Sequence, residues 1–199
     1  MLVSHKLKFL YIHIPKNWGS SIYNSFKKID PDLIDTHMPD EGNLVDKTHM
    51  LPFHHKEYQV IQSSIDDGYK IFCTIRNPEE RFYSSLKYAQ KYLGFQNHRF
   101  FQYSYINSIR NKGYLQNCMF IHGCPQYEFI FDGDKKITDK EFVCDENLFS
   151  NLSDYFGVEV SASHKNPSDK EDKLTTGVEF EDFKEIYAKD IEIYKELKK

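Results

Sequence analysis

The sequence predicts an α/β fold in which a central parallel β-sheet is flanked by helices. Three observations carry that expectation. Two short apolar, β-rich runs, FLYIHI at 9–14 and KIFCTI at Lys70–Ile75, have the length and composition of buried strands. Each is broken by a Pro-containing turn and followed by a stretch with helical spacing of its apolar residues. Strands that alternate with helices along a chain build mainly parallel sheets, because a parallel connection needs a crossover long enough to hold a helix.

The elements follow in order. Residues 15–19 interrupt the first strand, and 20–28 resume with Ile22 and Phe26 one helical turn apart. Residues 30–52, rich in Asp, Pro, His and Met, read as irregular, and 54–65 read as a helix ending near Gly68. After the second strand, Asn77 is a suitable N-cap, Pro78 suits the first helical position, and Glu80 stands where a capping-box acid would. The helix that follows runs to Leu93 and places Phe82, Leu86 and Ala89 on one face. Residues 97–112 predict a further helix closed by Gly113. Segments 128–131 and 142–144, with Asp132-Gly133 between them, suggest a hairpin-like excursion. Residues 145–156 read as a helix closed by Gly157, and a final amphipathic helix over 179–198 follows a charged loop at 163–175.

With 199 residues, 40% apolar and 28% charged, and only nine Gly and seven Pro, the chain suits one domain over 1–199 with a sizeable core. Collagenous, low-complexity and disordered readings are excluded. The net charge of −4, from 26 Lys/Arg and 30 Asp/Glu, argues against a protein that coats nucleic acid. The charge is unevenly spread. Residues 1–125 hold 15 basic and 11 acidic residues, a balance of +4, while 126–199 hold 11 and 19, a balance of −8. Eight of the nine histidines also precede residue 126, so that first part is where to look for an anion site if the chain has one. Aromatic residues at 16% can pack a core and line a pocket for a flat ring. Cys73, Cys118, Cys124 and Cys144 show neither a Cys-x-x-Cys pair nor zinc-ligand spacing, so reduced thiols are expected. The opening MLVSHKLKFLYIHIPK lacks the apolar core of a signal peptide, and no run of about 18 apolar residues is present. The expectation is a cytoplasmic protein with no membrane span.

Two strand–turn–helix units carry the chemistry. In FLYIHIPKNWGSSIYNSF a strand passes through a turn with one glycine into a helix that opens on two hydroxyl residues. Such a turn aims backbone N–H groups and the positive end of a helix dipole at one point, which suits a phosphate or sulfate. Lys16 adds a mobile charge there, and Ser20 and Ser21 add hydroxyl donors. A strand–turn–helix with a surface lysine and an N-cap serine is the bland alternative. The pattern GxxxxGK[ST] is absent, which disfavours an ATP- or GTP-hydrolysing machine. In KIFCTIRNPEERFYSSLKY, Arg76 leaves the carboxyl end of the strand, where ligands gather in open α/β sheets, and Ser84 follows eight residues later. All four arginines, Arg76, Arg81, Arg99 and Arg110, lie between 76 and 110, and guanidinium forks bind phosphate bidentately. Arg81 reads as part of a solvated helix face, and His13 as a packed residue rather than a ligand. Tyr103, Tyr105 and Tyr114 read as core, with an acceptor groove as the alternative. Two anion sites of different chemistry imply a ligand that carries two separated phosphate-like groups.

IHIPKNWGSS resembles the 5′-phosphosulfate loop of the sulfotransferases that use 3′-phosphoadenosine 5′-phosphosulfate (PAPS). Members of that family commonly read IPK followed by Thr, a small residue, Gly, Thr and Ser. Here Asn17 stands in place of the Thr and Trp18 in place of the small residue. TIRNPEERFYSSL is similar to the family's 3′-phosphate motif, with an RNP start, a second Arg, and a Ser eight residues after the first. THMLPF (48–53), LQNCMFIHG (115–123), PQYEFIFDGDKKITDKEFVCDENL (125–148) and HKNPS (164–168) resemble further segments in the same order. The likeness is closest to the carbohydrate-type branch.

The resemblance implies a P-loop-like sulfotransferase architecture. It implies transfer of a sulfuryl group from PAPS to an acceptor hydroxyl on a carbohydrate, with adenosine 3′,5′-bisphosphate (PAP) as product and no metal. Cofactor binding falls to Lys16, Asn17, Trp18, Gly19, Ser20, Ser21, Arg76 and Ser84. Catalysis falls to Lys16 and to a general base between the two motifs, where His49 matches, followed by His54 and His55 and then His37. The expected partner is a glycan acceptor, with no nucleic acid. Two other classes remain open: a catalytically silent PAPS- or PAP-binding regulatory module, and a nucleotide-dependent kinase with an unusual phosphate loop.

Overall fold

The computed structural model describes residues 1–35, 51, 63–93, 98–115, 118–162 and 178–199. The described strands are β1 (Leu2–Ser4), β2 (Phe9–Ile12), β3 (Ile34–Asp35), β4 (Lys70–Ile75), β5 (Phe131–Asp132), β6 (Lys135–Lys136) and β7 (Lys140–Val143). The helices are α1 (Gly19–Ile29), α2 (Pro78–Leu93), α3 (His98–Arg110), α4 (Cys118–Ile121), α5 (Leu148–Phe156), α6 (Val178–Ile186) and α7 (Ala188–Leu197). One-turn 3₁₀ segments occupy Gly113–Leu115 and Gln126–Phe129. Five strands form a central sheet in the order β3-β1-β2-β4-β7, and β5 and β6 pair as a separate ribbon.

This is an α/β architecture with a mixed sheet flanked by helices. The three strands β2, β4 and β7 are parallel, with Phe9 opposite Lys70 and Ile12 opposite Cys73, then Phe72 opposite Lys140 and Ile75 opposite Val143. The expectation of a parallel sheet is corrected at one edge, where β1 runs antiparallel to both β2 and β3. The reason is the connection: only residues 5–8 join β1 to β2, too few for a crossover, so the chain turns back as a hairpin. Three residues of LVS were too short a run to read as a strand, although all three are buried.

Period-2 alternation splits the strand side chains between two cores. Leu10, Ile12, Ile71, Cys73 and Ile75 join Phe82, Leu86 and Ala89 of α2, Tyr105, Ile106 and Ile109 of α3, and Phe183 and Tyr187 from the last helices. Phe9, Tyr11, Phe72 and Phe142 join Ile22 and Phe26 of α1 and Leu148 and Leu152 of α5. The second core is aromatic, with ring centroids 4.7 Å apart for Phe9–Phe26, 5.3 Å for Phe9–Phe72 and 5.2 Å for Phe72–Phe156.

Several boundaries differ from expectation. The excursion at 128–144 divides: Gly133, at φ 61°, turns the β5–β6 ribbon, whereas Phe142 belongs to β7 and enters the main sheet beside β4. The helix expected from 145 begins at Leu148, because Asp145 Oδ1 takes the N–H of Asn147 at 3.0 Å and holds the preceding turn. The helix expected over 179–198 is two helices, broken at Tyr187, whose ring is buried and whose hydroxyl donates to the Gly123 carbonyl. Of the helix expected over 54–65, residues 63–65 are described and are helical, and the turn continues to 66. Of the segment read as irregular over 30–52, Ile34–Asp35 instead form β3, drawn into the sheet by pairing with β1, and residues 36–50, like the rest of that helix and the charged loop expected at 163–175, lie outside the described residues. Among the described residues no helix is long and apolar enough to cross a membrane.

Phe72 lies on the middle strand of the parallel set and touches the aromatic core from its centre. Phe72→Ala should therefore cost about 3–5 kcal/mol of unfolding free energy, read from urea denaturation. A loss below about 1 kcal/mol, the level of an ordinary surface change, would show that this core does not hold the sheet.

Candidate anion-binding site

Parallel pairing sets the ends of β2 and β4 side by side, so the turn at 13–18 and the turn at Arg76–Asn77 leave the sheet as neighbours. The first turn is tightly wound. Lys16 and Trp18 both have left-handed backbones, at φ 67° and 62°, an arrangement that costs a non-glycine residue roughly 1–2 kcal/mol. Inward hydrogen bonds hold it. The Pro15 carbonyl accepts from Arg81 Nε at 2.9 Å, the Lys16 carbonyl from Arg76 Nη1 at 3.5 Å, and the Asn17 carbonyl from Thr74 Oγ1 at 2.7 Å. With three successive carbonyls turned inward, the N–H groups of residues 16–20 donate to no acceptor among the described residues. This is the arrangement of an anion nest at the start of a helix.

Asn17 sits wholly inside the protein. Its Nδ2 donates to the Thr74 carbonyl at 2.5 Å and to Gln126 Oε1 at 2.6 Å, so its side chain ties the turn to β4 instead of facing a ligand. Trp18 is half-buried and packs its indole against the aromatic core, which offsets its backbone strain. Gly19 is needed for close approach: a Cβ there would lie 1.7 Å from His13 Nε2. The imidazole of His13 is half-exposed, stacked on Tyr11 at 5.9 Å, and rests on the first residue of α1. His13 therefore lies just past the end of β2, partly exposed rather than enclosed within the strand, and its contacts place an imidazole at the turn. Ser20 is exposed in the first turn of α1 and Ser21 is buried.

At the second turn, Asn77 caps α2 as expected, with Oδ1 accepting from the N–H of Glu79 at 3.0 Å and of Glu80 at 3.3 Å. Glu80, the expected capping-box acid, is engaged elsewhere, by Arg76 Nε at 3.3 Å. Arg76 is buried, while Glu80 is 64% exposed and can swing aside to release the guanidinium. Ser84 lies half-buried on α2.

Arg81 corrects the expectation of a solvated helix face, because its exposure is 0%. It shares the face of Phe82, Ser85, Leu86 and Ala89, all buried, so the 3–4 spacing carried the signal and the charge obscured it. Its Nε and Nη1 bind the Pro15 and Cys124 carbonyls at 2.9 and 2.8 Å, and its Nη2 is buried with no hydrogen-bond partner among the described residues. No carboxylate among the described residues forms an ion pair with it.

Lys16 completes a group of three cations. Its Nζ stands 4.4 Å from the centre of the Tyr88 ring, which also meets the His122 ring at 4.2 Å. Burial, then the charges of Arg76 and Arg81, hold the Lys16 ammonium below the ordinary lysine range. An anion at this point would relieve that repulsion.

The residue that joins these parts was not singled out from the sequence. Gln126 is buried, and its amide bonds both to Asn17 and to the backbone of Arg76. Asp190 of α7 holds it from behind, accepting the N–H of Gln126 at 2.7 Å and of Tyr127 at 2.9 Å. Only the sequence PQ hinted at this; the contacts span 50 residues or more. Tyr105 and Tyr114 are core, as expected, and Tyr103 is exposed. His37, His49, His54 and His55 lie outside the described residues.

Burial pushes the Asp190 carboxyl up to about 6, against the downward pull of its N–H donors and of Arg81. The folded protein therefore keeps a proton that the unfolded chain loses near pH 4, and this group lowers stability as the pH rises from about 4 to about 6. In Asp190→Asn that component should be absent, so the stability gap between parent and variant should change across this window in urea titrations. Parallel stability curves would show that Asp190 keeps an ordinary carboxylate pKa.

Comparison with protein-family models, with curated proteins and with solved structures finds no match to this chain.

Proposed function

We propose that the carboxyl ends of β2 and β4 bind a nucleotide with two separated anionic groups, and that the protein is a sulfotransferase. It moves a sulfuryl group from PAPS to an acceptor hydroxyl, with a carbohydrate as the acceptor class. The observation that carries this reading is one grouping: Lys16, Arg76 and Arg81 interact at two neighbouring turns, beside N–H groups of residues 16–20 that have no acceptor among the described residues. Glu80, mostly solvent-exposed, forms the one carboxylate ion pair to this group among the described residues. A dianionic ligand fits such a donor set, since three cations gathered with so little countercharge favour anion binding.

Bound PAPS would supply a sulfuryl group already activated by its link to the 5′-phosphate. The chain's own residues would orient and stabilise. The N–H groups of 16–20 would hold the phosphosulfate end, and Lys16 would move from Tyr88 to the charge that develops on the departing phosphate oxygen. Arg76, released by Glu80, would take the 3′-phosphate with its fork, and Ser84 would assist from two turns along α2. His49 would accept the acceptor's proton, and His13, on the glycine of the turn, would shape the nucleotide side. These roles rest on the resemblance and on the donor set together.

Lys16→Ala should reduce turnover by orders of magnitude and leave urea stability near that of the parent, as expected for a charge removed at the site edge. Unchanged turnover would remove Lys16 from the mechanism. Binding of PAP with no transfer of sulfate to any hydroxyl acceptor would instead favour the silent module, and competition by ATP would favour the kinase.

Arg76→Lys keeps the charge and loses the fork, so PAP affinity should weaken by about 1.5–3 kcal/mol while affinity for the nucleotide lacking the 3′-phosphate changes little. Calorimetry with the two nucleotides measures this. A retained preference would assign the 3′-phosphate to another group.

His49→Gln should slow transfer by roughly 10²–10⁴ with PAP affinity intact, and should abolish the rise of rate with pH through the imidazole titration. His13→Gln should weaken PAP binding and keep that rise. If the rise disappears in His13→Gln instead, the base is His13.

A further inference from the structure

We infer that Gln126 sets the spacing of the two anion-binding turns and is thereby a specificity-determining residue for ligands with two separated anions. The inference rests on the two-anion reading given above.

Gln126 is 1% exposed and lies between the turns. Its Oε1 accepts from Asn17 Nδ2 at 2.6 Å and from the Arg76 N–H at 3.0 Å, and its Nε2 donates to the Arg76 carbonyl at 3.0 Å. The amide therefore reads both polar groups of the Arg76 peptide backbone, which fixes the direction in which the Arg76 side chain leaves the strand. The same oxygen reaches Asn17, the middle residue of the left-handed turn at 16–18. One side chain thus measures the gap between two loops that are far apart along the chain. Its own position is fixed by the Asp190 bond to its backbone, so the gauge is anchored outside both loops.

Two contacts to one ligand reinforce each other only when their separation matches the ligand's. A ligand with a single anion uses one turn and gains nothing from the gauge. Loss of the amide should therefore spare binding of a ligand with one anionic group and remove the advantage of the second. Misplacement by an ångström is enough to cost such an advantage.

The test compares PAP with adenosine 5′-monophosphate by calorimetry on the full chain. The proteins are the parent, Gln126→Met, which keeps the length without hydrogen bonds, and Gln126→Asn, which keeps the amide but cannot span both turns. Leu152→Val, in the aromatic core on the other face of the sheet, serves as a control for general destabilisation. The expected result is a PAP-to-monophosphate affinity ratio that falls about 10-fold to 100-fold in both Gln126 variants, with monophosphate affinity within about threefold of the parent and the control ratio unchanged. A ratio preserved in both Gln126 variants overturns the inference and leaves the two-anion reading standing. Parallel loss of both affinities makes Gln126 a folding residue and also overturns it. A parent that shows no preference for PAP overturns the two-anion reading itself, and the inference with it. Should Gln126→Met not fold, Gln126→Asn decides between these outcomes.

Discussion

Side-by-side parallel pairing of β2 and β4 is the constraint on which the site depends. The register that puts Phe9 opposite Lys70 and Ile12 opposite Cys73 brings both strands to their carboxyl ends at nearly the same height. Two turns with no sequence proximity then become neighbours and share hydrogen bonds with each other and with Gln126. Thr74 and Asn17 exchange hydrogen bonds at 2.7 and 2.5 Å across that junction, and Tyr11 meets Thr74 at 2.9 Å beneath it. A slip of one residue would reverse the faces of β2 and drive Leu10 and Ile12 into the aromatic layer. The two cores therefore guard the register, and the register guards the site.

Charge is handled in an unusual way around this junction. Arg81 is fully enclosed, bound to two main-chain carbonyls, with a third nitrogen lacking a partner among the described residues. Buried guanidinium groups cost free energy unless they are well hydrogen-bonded or paired. Asp190 lowers part of that cost at a distance, and Arg81 in turn pulls the Asp190 carboxyl down against its burial. The charges of Arg76 and Arg81, added to burial, hold the Lys16 ammonium below the ordinary lysine range. The acidic second part of the chain does not cancel these charges, because Glu80, which does reach the cluster, belongs to the first part.

What could be read in the sequence followed from periodicity and local chemistry. The apolar run of β4, the Asn77 cap and the Gly157 closure are each decided within a few residues and stand where the pattern put them, while β2 starts at Phe9 as expected but ends at Ile12, two residues short of the run FLYIHI. The basic first part and the two turns likewise marked where cations would gather. What escaped depended on distant partners. Strand β1 is three residues long and is specified by pairing rather than by its own pattern. The break at Tyr187 has no Gly or Pro to announce it and arises from the bond to Gly123. Arg81 was read by its charge when its spacing placed it among Phe82, Ser85 and Leu86. Asn17, assigned to the ligand by its place in the motif, turns inward because Thr74 and Gln126 offer it acceptors there.

Helix α7 bears on the site from the far end of the chain. Asp190 binds the N–H groups of Gln126 and Tyr127, and Tyr187 just before the helix binds Gly123. A local opening that lifts this helix must break those bonds together and release the segment from 123 to 127 at the same moment. Gln126 in turn bonds Asn17 and the backbone of Arg76, so one side chain ties the last helix to the turns that follow β2 and β4.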